Sequence, residues 1–142
     1  MIVFKKVLTL IIIFGTIFSI STAAKKLEPW QEKRLKQLKY DTVVYKTVNG
    51  QKLDMFFIPP TVKKYAKAPL MVFIHGGGWT GGSPGQFTEH SKYFATRGLV
   101  CVQVQYRLLD RKANKPPVTC IRDARSAMRW VRSRADSFGS DP

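Results

Sequence analysis

Hydrophobic and polar positions along this chain change period several times, and each change marks an element. Val7 to Ile20 is an almost unbroken apolar run, and Lys25 to Tyr40 is basic and polar, with Leu35 and Leu38 as its few apolar anchors. From Asp41 to Ile58 β-branched and aromatic residues dominate: Val43, Val44, Tyr45 and Val48 lead to Asn49-Gly50, and Leu53, Met55, Phe56, Phe57 and Ile58 follow. Asn-Gly between two such runs accepts the positive φ angles of a primed turn, so 41–58 reads as a hairpin ended by Pro59-Pro60. Leu70 to Ile74 is a short apolar run of the length of a buried strand. Gln86 to Arg97 reads as a helix with Phe87, Tyr93 and Phe94 as its apolar residues and Gly98 as its C-cap. Leu99 to Tyr106 is apolar enough for a strand buried on both faces of a parallel sheet. After Pro116-Pro117, Thr119 is placed to cap a helix in which Ile121, Ala124, Ala127, Met128, Val131 and Ala135 share one face, with Gly139 as its end. The order hairpin, strand, helix, strand, helix predicts an α/β fold with parallel central strands.

The length of 142 residues suits one domain with a real core, and 44% hydrophobic with 23% charged residues is an ordinary globular composition. The charge balance is not ordinary: 24 basic against 9 acidic residues give +15. Residues 1–24 have the layout of a targeting segment. Lys5 and Lys6 precede the apolar run, and Ser21-Thr22-Ala23-Ala24 offers small residues for cleavage after Ala23 or Ala24. The run is short of the ~20 residues that a membrane-spanning helix needs, so a cleaved signal peptide is the reading preferred to an uncleaved anchor. The mature chain is then expected to be secreted or periplasmic, with 25–40 as a basic leader and 41–142 as the folded part. Cys101 sits mid-strand and Cys120 near a helix start; export allows a disulfide, but separate buried thiols are the reading preferred. No metal-ligand spacing appears, and the basic runs lack a nucleic-acid motif or aromatic interleaving, so neither metal nor nucleic acid is expected.

The chemistry concentrates in Met71 to Gly82, MVFIHGGGWTGG, where an apolar strand runs into glycines. Three motifs overlap there. Gly81-Gly82-Ser83-Pro84-Gly85 matches Gly-x-Ser-x-Gly, but in a nucleophile elbow the residue after the serine donates its N–H, and Pro84 has none. Gly76, Gly78 and Gly81 match the dinucleotide fingerprint Gly-x-Gly-x-x-Gly, but no carboxylate ends the following strand and Ser83-Pro84-Gly85 intervenes before the helix. The third, His75-Gly76-Gly77-Gly78-Trp79, matches an oxyanion loop that follows a strand and aims backbone N–H groups at a tetrahedral intermediate.

Together with Tyr106-Arg107-Leu108, the segment DARSAMRWVR at 123–132 and Phe138-Gly139-Ser140-Asp141-Pro142, that motif resembles the N-terminal part of secreted α/β-hydrolase esterases, of the acetylxylan-esterase-like and feruloyl-esterase-like kind. The resemblance covers Val43 to Pro142. Two departures stand out: Leu109-Asp110 follow Tyr-Arg-Leu where many relatives have Ala-Pro-Glu, and Gln105 precedes it in place of an acid. The resemblance implies an α/β-hydrolase fold, of which this would be the N-terminal portion, and hydrolysis of carboxylic esters, acetyl or other acyl, on a small molecule or a polysaccharide. It implies no cofactor. Gly77 and Gly78 are its oxyanion N–H donors, with Gly76 permitting the turn and His75 and Trp79 shaping the loop. Because the triad follows in the order Ser, Asp or Glu, His, it implies that all three lie beyond Pro142 and that residues 1–142 alone are inactive. For the same reason His75 is not the expected catalytic base. Arg107 and Asp123 are expected to pair beneath the site as structural support.

Three further expectations follow. A fold of this kind without its fifth strand leaves the Leu70–Ile74 strand with an open edge, which invites aggregation and poor folding. Arg122, Arg125, Arg129 and Arg132 form a stripe on the last helix, read first as a solvated face and otherwise as a polyanion site. His90 is expected at the surface. The alternative to an esterase is therefore a non-catalytic remnant or a basic protein that binds anionic polymer, and it would show strongly salt-dependent binding without ester hydrolysis.

Overall fold

The computed structural model describes residues 41–112 and 114–141. The signal segment and the basic leader expected over 1–40 lie outside the described residues. Strands β1 (Asp41–Val48) and β2 (Gln51–Ile58) form the hairpin, paired antiparallel from Asp41↔Phe57 to Val48↔Gln51 with a bulge between Val44 and Lys46. Asn49 and Gly50 take φ of 51° and 77°, the positive angles a primed turn requires. β3 (Leu70–Ile74) and β4 (Val100–Val104) pair in parallel, β4 also pairs antiparallel with β2, and the sheet order is β1-β2-β4-β3.

Helix α1 (Thr88–Ala95) and helix α2 (Val118–Arg132) cover opposite faces of this sheet. Alternation along the strands divides the core accordingly. Leu53, Met55, Phe57, Val100, Val102 and Val104 pack with Ala127 and Val131 of α2, whereas Ile58 and Cys101 pack with Ala95 of α1. β4 is buried at all five positions, as a central strand covered on both faces should be. Its one polar residue, Gln103, is buried with a hydrogen bond from Nε2 to Ser91 Oγ on α1 at 2.9 Å, while its Oε1 has no partner among the described residues. Cys101 and Cys120 are separate buried thiols; burial pushes Cys101 up to about 11.

Several boundaries move from the sequence reading. The helix expected over Gln86–Arg97 is a 3-10 turn, Pro84–Phe87, followed by the shorter α1. Its buried residues are Thr88, Ser91 and Ala95, while Tyr93 is 53% exposed beneath the Arg97 guanidinium. Gly98 does end it, at φ 88°, with Leu99 N–H returning to the Phe94 carbonyl; that bond keeps Leu99 out of the strand. At the other end Gln105 N–H still reaches the Asp54 carbonyl, but Asp54 N–H is taken by the Gln105 side chain, Oε1, at 3.2 Å, and β4 ends at Val104 rather than Tyr106. Thr119 does not cap α2: the helix starts two residues earlier than that cap would set it, with Pro117 at the cap position and no side-chain cap bond. Gly139, at φ 62°, ends a separate 3-10 turn, Ala135–Phe138, not α2 itself.

The inward face of α2 is also rotated from the expected one. Cys120, Asp123, Ala127 and Val131 are buried, and Ile121 and Met128 are exposed. The cause is Asp123, an acid that the sheet draws inward to meet cations from β1 and from the segment after β4.

Candidate active site

The end of β3 delivers His75 and the glycine loop to the same end of the sheet as the segment that leaves β4. Gly77 sits at φ 124°, and a Cβ there would collide with the backbone of Gly81. Gly82, at φ 87°, would likewise drive a Cβ into the Gly76 carbonyl. Only residues without side chains let the two limbs of this loop come so close. Gly78 has φ 60°, but a Cβ there would meet nothing. Trp79 also lies in the left-handed region, at φ 65°, an uncommon place for a bulky residue.

Hydrogen bonds hold this conformation. Gly76 N–H donates to Gln86 Oε1 at 2.7 Å, and the Gly77 carbonyl accepts from Gly81 N–H at 3.0 Å and Thr80 N–H at 3.2 Å. His75 is buried, and its Nδ1 lies 2.9 Å from the Gly76 carbonyl, an acceptor, so Nδ1 carries the proton. Burial lowers the His75 pKa, and the bond to Gly76 opposes that only in part. By contrast, the N–H groups of Gly77, Gly78 and Trp79 have no acceptor among the described residues, and all three residues are exposed.

The segment after β4 buttresses the loop. Tyr106, 3% exposed, donates its hydroxyl to the His75 carbonyl at 2.7 Å and stacks its ring on the His75 imidazole, centroids 4.3 Å apart. Leu109 N–H donates to the Trp79 carbonyl at 2.8 Å. Between them, Arg107 meets Asp123 in a two-pronged pair, Nε to Oδ2 at 2.7 Å and Nη2 to Oδ1 at 2.9 Å, and its backbone N–H reaches Oδ2 at 3.3 Å. Lys46 from β1 adds a third cation contact, Nζ to Asp123 Oδ1 at 2.7 Å. Burial alone would raise the Asp123 carboxyl; the bonds from Arg107 and Lys46 outweigh it and hold the group below its ordinary value.

The structure thus brings His75, Gly76, Gly77, Gly78 and Trp79 together with the Arg107–Asp123 pair. Ser83 is buried, in an extended conformation at the start of the 3-10 turn, and the residues before it are a loop and not a strand. His90 is exposed on α1, its ring edge-on to Phe87 with centroids 5.5 Å apart. Among the described residues no group of His, Cys, Asp and Glu is gathered to hold a metal ion, and no helix is long and apolar enough to cross a membrane. Three contributors were not singled out from the sequence: Lys46, Gln86 and the hydroxyl of Tyr106. Lys46 was legible only as one cation among 24, and Gln86 as a helix start. Tyr106 was visible as part of a motif, without its partner.

Comparison with known proteins identifies the family and the fold. Residues 53–142 match the BD-FAE family. The chain is 35% identical over 80 residues to the juvenile hormone esterase of Heliothis virescens, an alignment that takes in 52% of this chain and 14% of that esterase. Among solved structures, the propionate-bound Est2 esterase of Thermogutta terrifontis superposes with a TM-score of 0.64 at 39% identity, covering 72% of this chain and 38% of Est2. The same enzyme phosphorylated by paraoxon gives the same score and identity, with 40% of its chain covered. The chain therefore spans well under half the length of these relatives. Its sheet order, flanking helices and glycine loop are a partial α/β-hydrolase fold, and the chain belongs to the BD-FAE family of α/β-hydrolase esterases.

Proposed function

We propose that this chain supplies half of the oxyanion hole of an exported serine esterase that hydrolyses small acyl esters, acetyl groups on polysaccharide among them. The observation that carries the reading is the pair of N–H groups on Gly77 and Gly78, exposed and without an acceptor among the described residues, on a loop fixed from both sides. Such donors act on the oxyanion of the tetrahedral intermediate, where they are aligned before charge develops, and each is worth on the order of a hundredfold or more in rate. The remaining parts of acyl transfer, a nucleophilic serine with its histidine and acid, are assigned to sequence outside these residues. His75 takes no proton-transfer role in this scheme, because its protonated nitrogen is committed to the Gly76 carbonyl and its ring is covered by Tyr106.

The likeness to an esterase that carries a phosphoryl group from paraoxon suggests the test. The complete gene product is expected to hydrolyse p-nitrophenyl acetate and to lose that activity on stoichiometric phosphorylation by paraoxon. Absence of both reactions in a folded full-length protein would remove the esterase reading. A second reading, capture of anionic polymer, is favoured by one observation: Arg122, Arg125, Arg129 and Arg132 are all exposed on α2 and have no ion-pair partner among the described residues.

A further inference from the structure

The glycine loop is held one peptide plane at a time. A trans peptide is planar, and its C=O and N–H point in opposite directions, so fixing one end of the unit fixes the other. In the plane joining His75 and Gly76, Tyr106 Oη donates to the carbonyl at 2.7 Å while the N–H donates to Gln86 Oε1 at 2.7 Å. That unit is clamped at both ends, by residues from two different parts of the chain. In the next plane the Gly76 carbonyl meets His75 Nδ1, which leaves Gly77 N–H directed away from the imidazole. In the third, the Gly77 carbonyl is taken by Gly81 and Thr80 N–H groups, which leaves Gly78 N–H directed outward. A rotation of the first plane shifts Gly76 and the turn after it against the imidazole, which Tyr106 holds in place, so the aim of both free donors depends on the first plane as well as on their own bonds.

We infer that Tyr106 and Gln86 are positioning residues for the oxyanion donors, with the tyrosine hydroxyl setting the angle at which Gly77 and Gly78 N–H groups meet the transition state. The inference rests on the esterase reading above for its catalytic meaning. Tyr106 suits the task because its segment is itself anchored twice, through Arg107 to Asp123 and through Leu109 N–H to the Trp79 carbonyl. Its ring would remain stacked on His75 without the hydroxyl, so the Tyr106→Phe variant removes the clamp and little else. Misaiming donors affects the transition state more than the bound substrate, so the loss belongs in kcat.

The test uses the full-length protein, with Tyr106→Phe, the exposed-side variant Gln86→Leu, and Tyr93→Phe on the outer surface of α1 as control. Expected for Tyr106→Phe is a kcat lower by about tenfold or more with KM within about twofold, a smaller fall for Gln86→Leu, and no change for Tyr93→Phe. Amide hydrogen exchange of the peptide covering 75–81 should quicken in both variants while that of β4 does not. If wild type hydrolyses esters and both variants keep its kcat, the inference is wrong and the esterase reading stands. If exchange quickens throughout β3 and β4, Tyr106 is merely structural, and the inference is equally overturned; Gln86→Leu, altered at an exposed side chain, then shows independently whether the first plane matters. Should wild type hydrolyse no ester, it is the esterase reading that fails, and loop exchange alone decides whether the clamp exists.

Discussion

Gly77 and Gly78 carry the same donor group and differ in what a side chain would meet. A methyl at Gly77 faces the Gly81 backbone and a φ of 124°, so Gly77→Ala must displace the loop. It is expected to cost on the order of 1–3 kcal/mol in strain and, on the esterase reading proposed above, to reduce kcat of the full-length protein by about a hundredfold. Gly78→Ala meets only the left-handed φ of 60° and open space, so about 1 kcal/mol and a far smaller kinetic effect are expected. Parallel melting curves and ester kinetics check the contrast, and equal effects at both positions would contradict it. His75 makes a pH prediction of definite sign. Its folded pKa is depressed by burial, so the unfolded chain binds the proton more readily. Its contribution to stability is fully present above the unfolded value near 6.5 and falls as the pH drops through that value toward the folded one. Replacing His75 by Gln should flatten that slope in melts between about pH 7 and pH 5. At this scale the glycine loop was legible, because His-Gly-Gly-Gly-Trp is local; what fixes the loop was not, because Tyr106 lies 31 positions from His75.

Element boundaries were legible wherever a local rule decided them and shifted wherever a distant partner did. Asn49-Gly50 dictated its turn regardless of context, and the hairpin falls where the β-rich runs place it. The rotation of α2 had no local signal. A periodic row of Ile121, Ala124, Ala127 and Met128 reads as the core face until Lys46 and Arg107 are known to converge on Asp123. That acid is fully buried with two cations, so removing it strands their charges: Asp123→Ala is expected to destabilise by about 3–5 kcal/mol in chemical denaturation. Lys46→Met should cost less, since the lysine is a quarter exposed and Arg107 remains to meet the acid. The rotation leaves Ile121 and Met128 in the open, and Met128 joins Leu70, Val72, Val131, Arg132, Ala135 and Asp141 around a groove of about 220 Å³ beside the edge strand β3. Among the described residues that edge of the sheet is met only at its entry, by the parallel bridge of Ala68 with Ser140. An apolar strand with an open edge pairs with whatever is offered. The polypeptide of residues 1–142 produced by itself is expected to self-associate. Ile121→Glu with Met128→Glu should reduce that association in sedimentation without lowering the melting temperature; a clean wild-type monomer with a cooperative melt would defeat the idea.

Across the whole molecule, charge is distributed unlike apolar area. The formal +15 is not neutralised locally: the described ion pairs use Lys46, Lys67, Lys92 and Arg107, and leave the arginines of α2 facing water. Arg122, Arg125, Arg129 and Arg132 recur at helical spacing over ten residues, about 15 Å of helix. Like charges at that spacing repel, at a few tenths of a kcal/mol per pair, and the helix holds them because its inner face is well packed. A field of one sign is a long-range property that raises the local concentration of an anionic polymer and weakens with salt. It differs in kind from the glycine loop, which acts through backbone dipoles at short range. The two readings of the protein therefore separate in one experiment. Full-length protein retained on a sulfated polysaccharide column should elute at markedly lower salt when Arg122, Arg125, Arg129 and Arg132 are replaced by Gln, with hydrolysis of a neutral small ester unchanged. If elution is unchanged, the stripe is a solvated face. If hydrolysis of an acetylated anionic polysaccharide falls together with retention while that of the neutral ester does not, the basic face and the ester site act on one substrate, and an anionic polysaccharide ester becomes the substrate class to pursue.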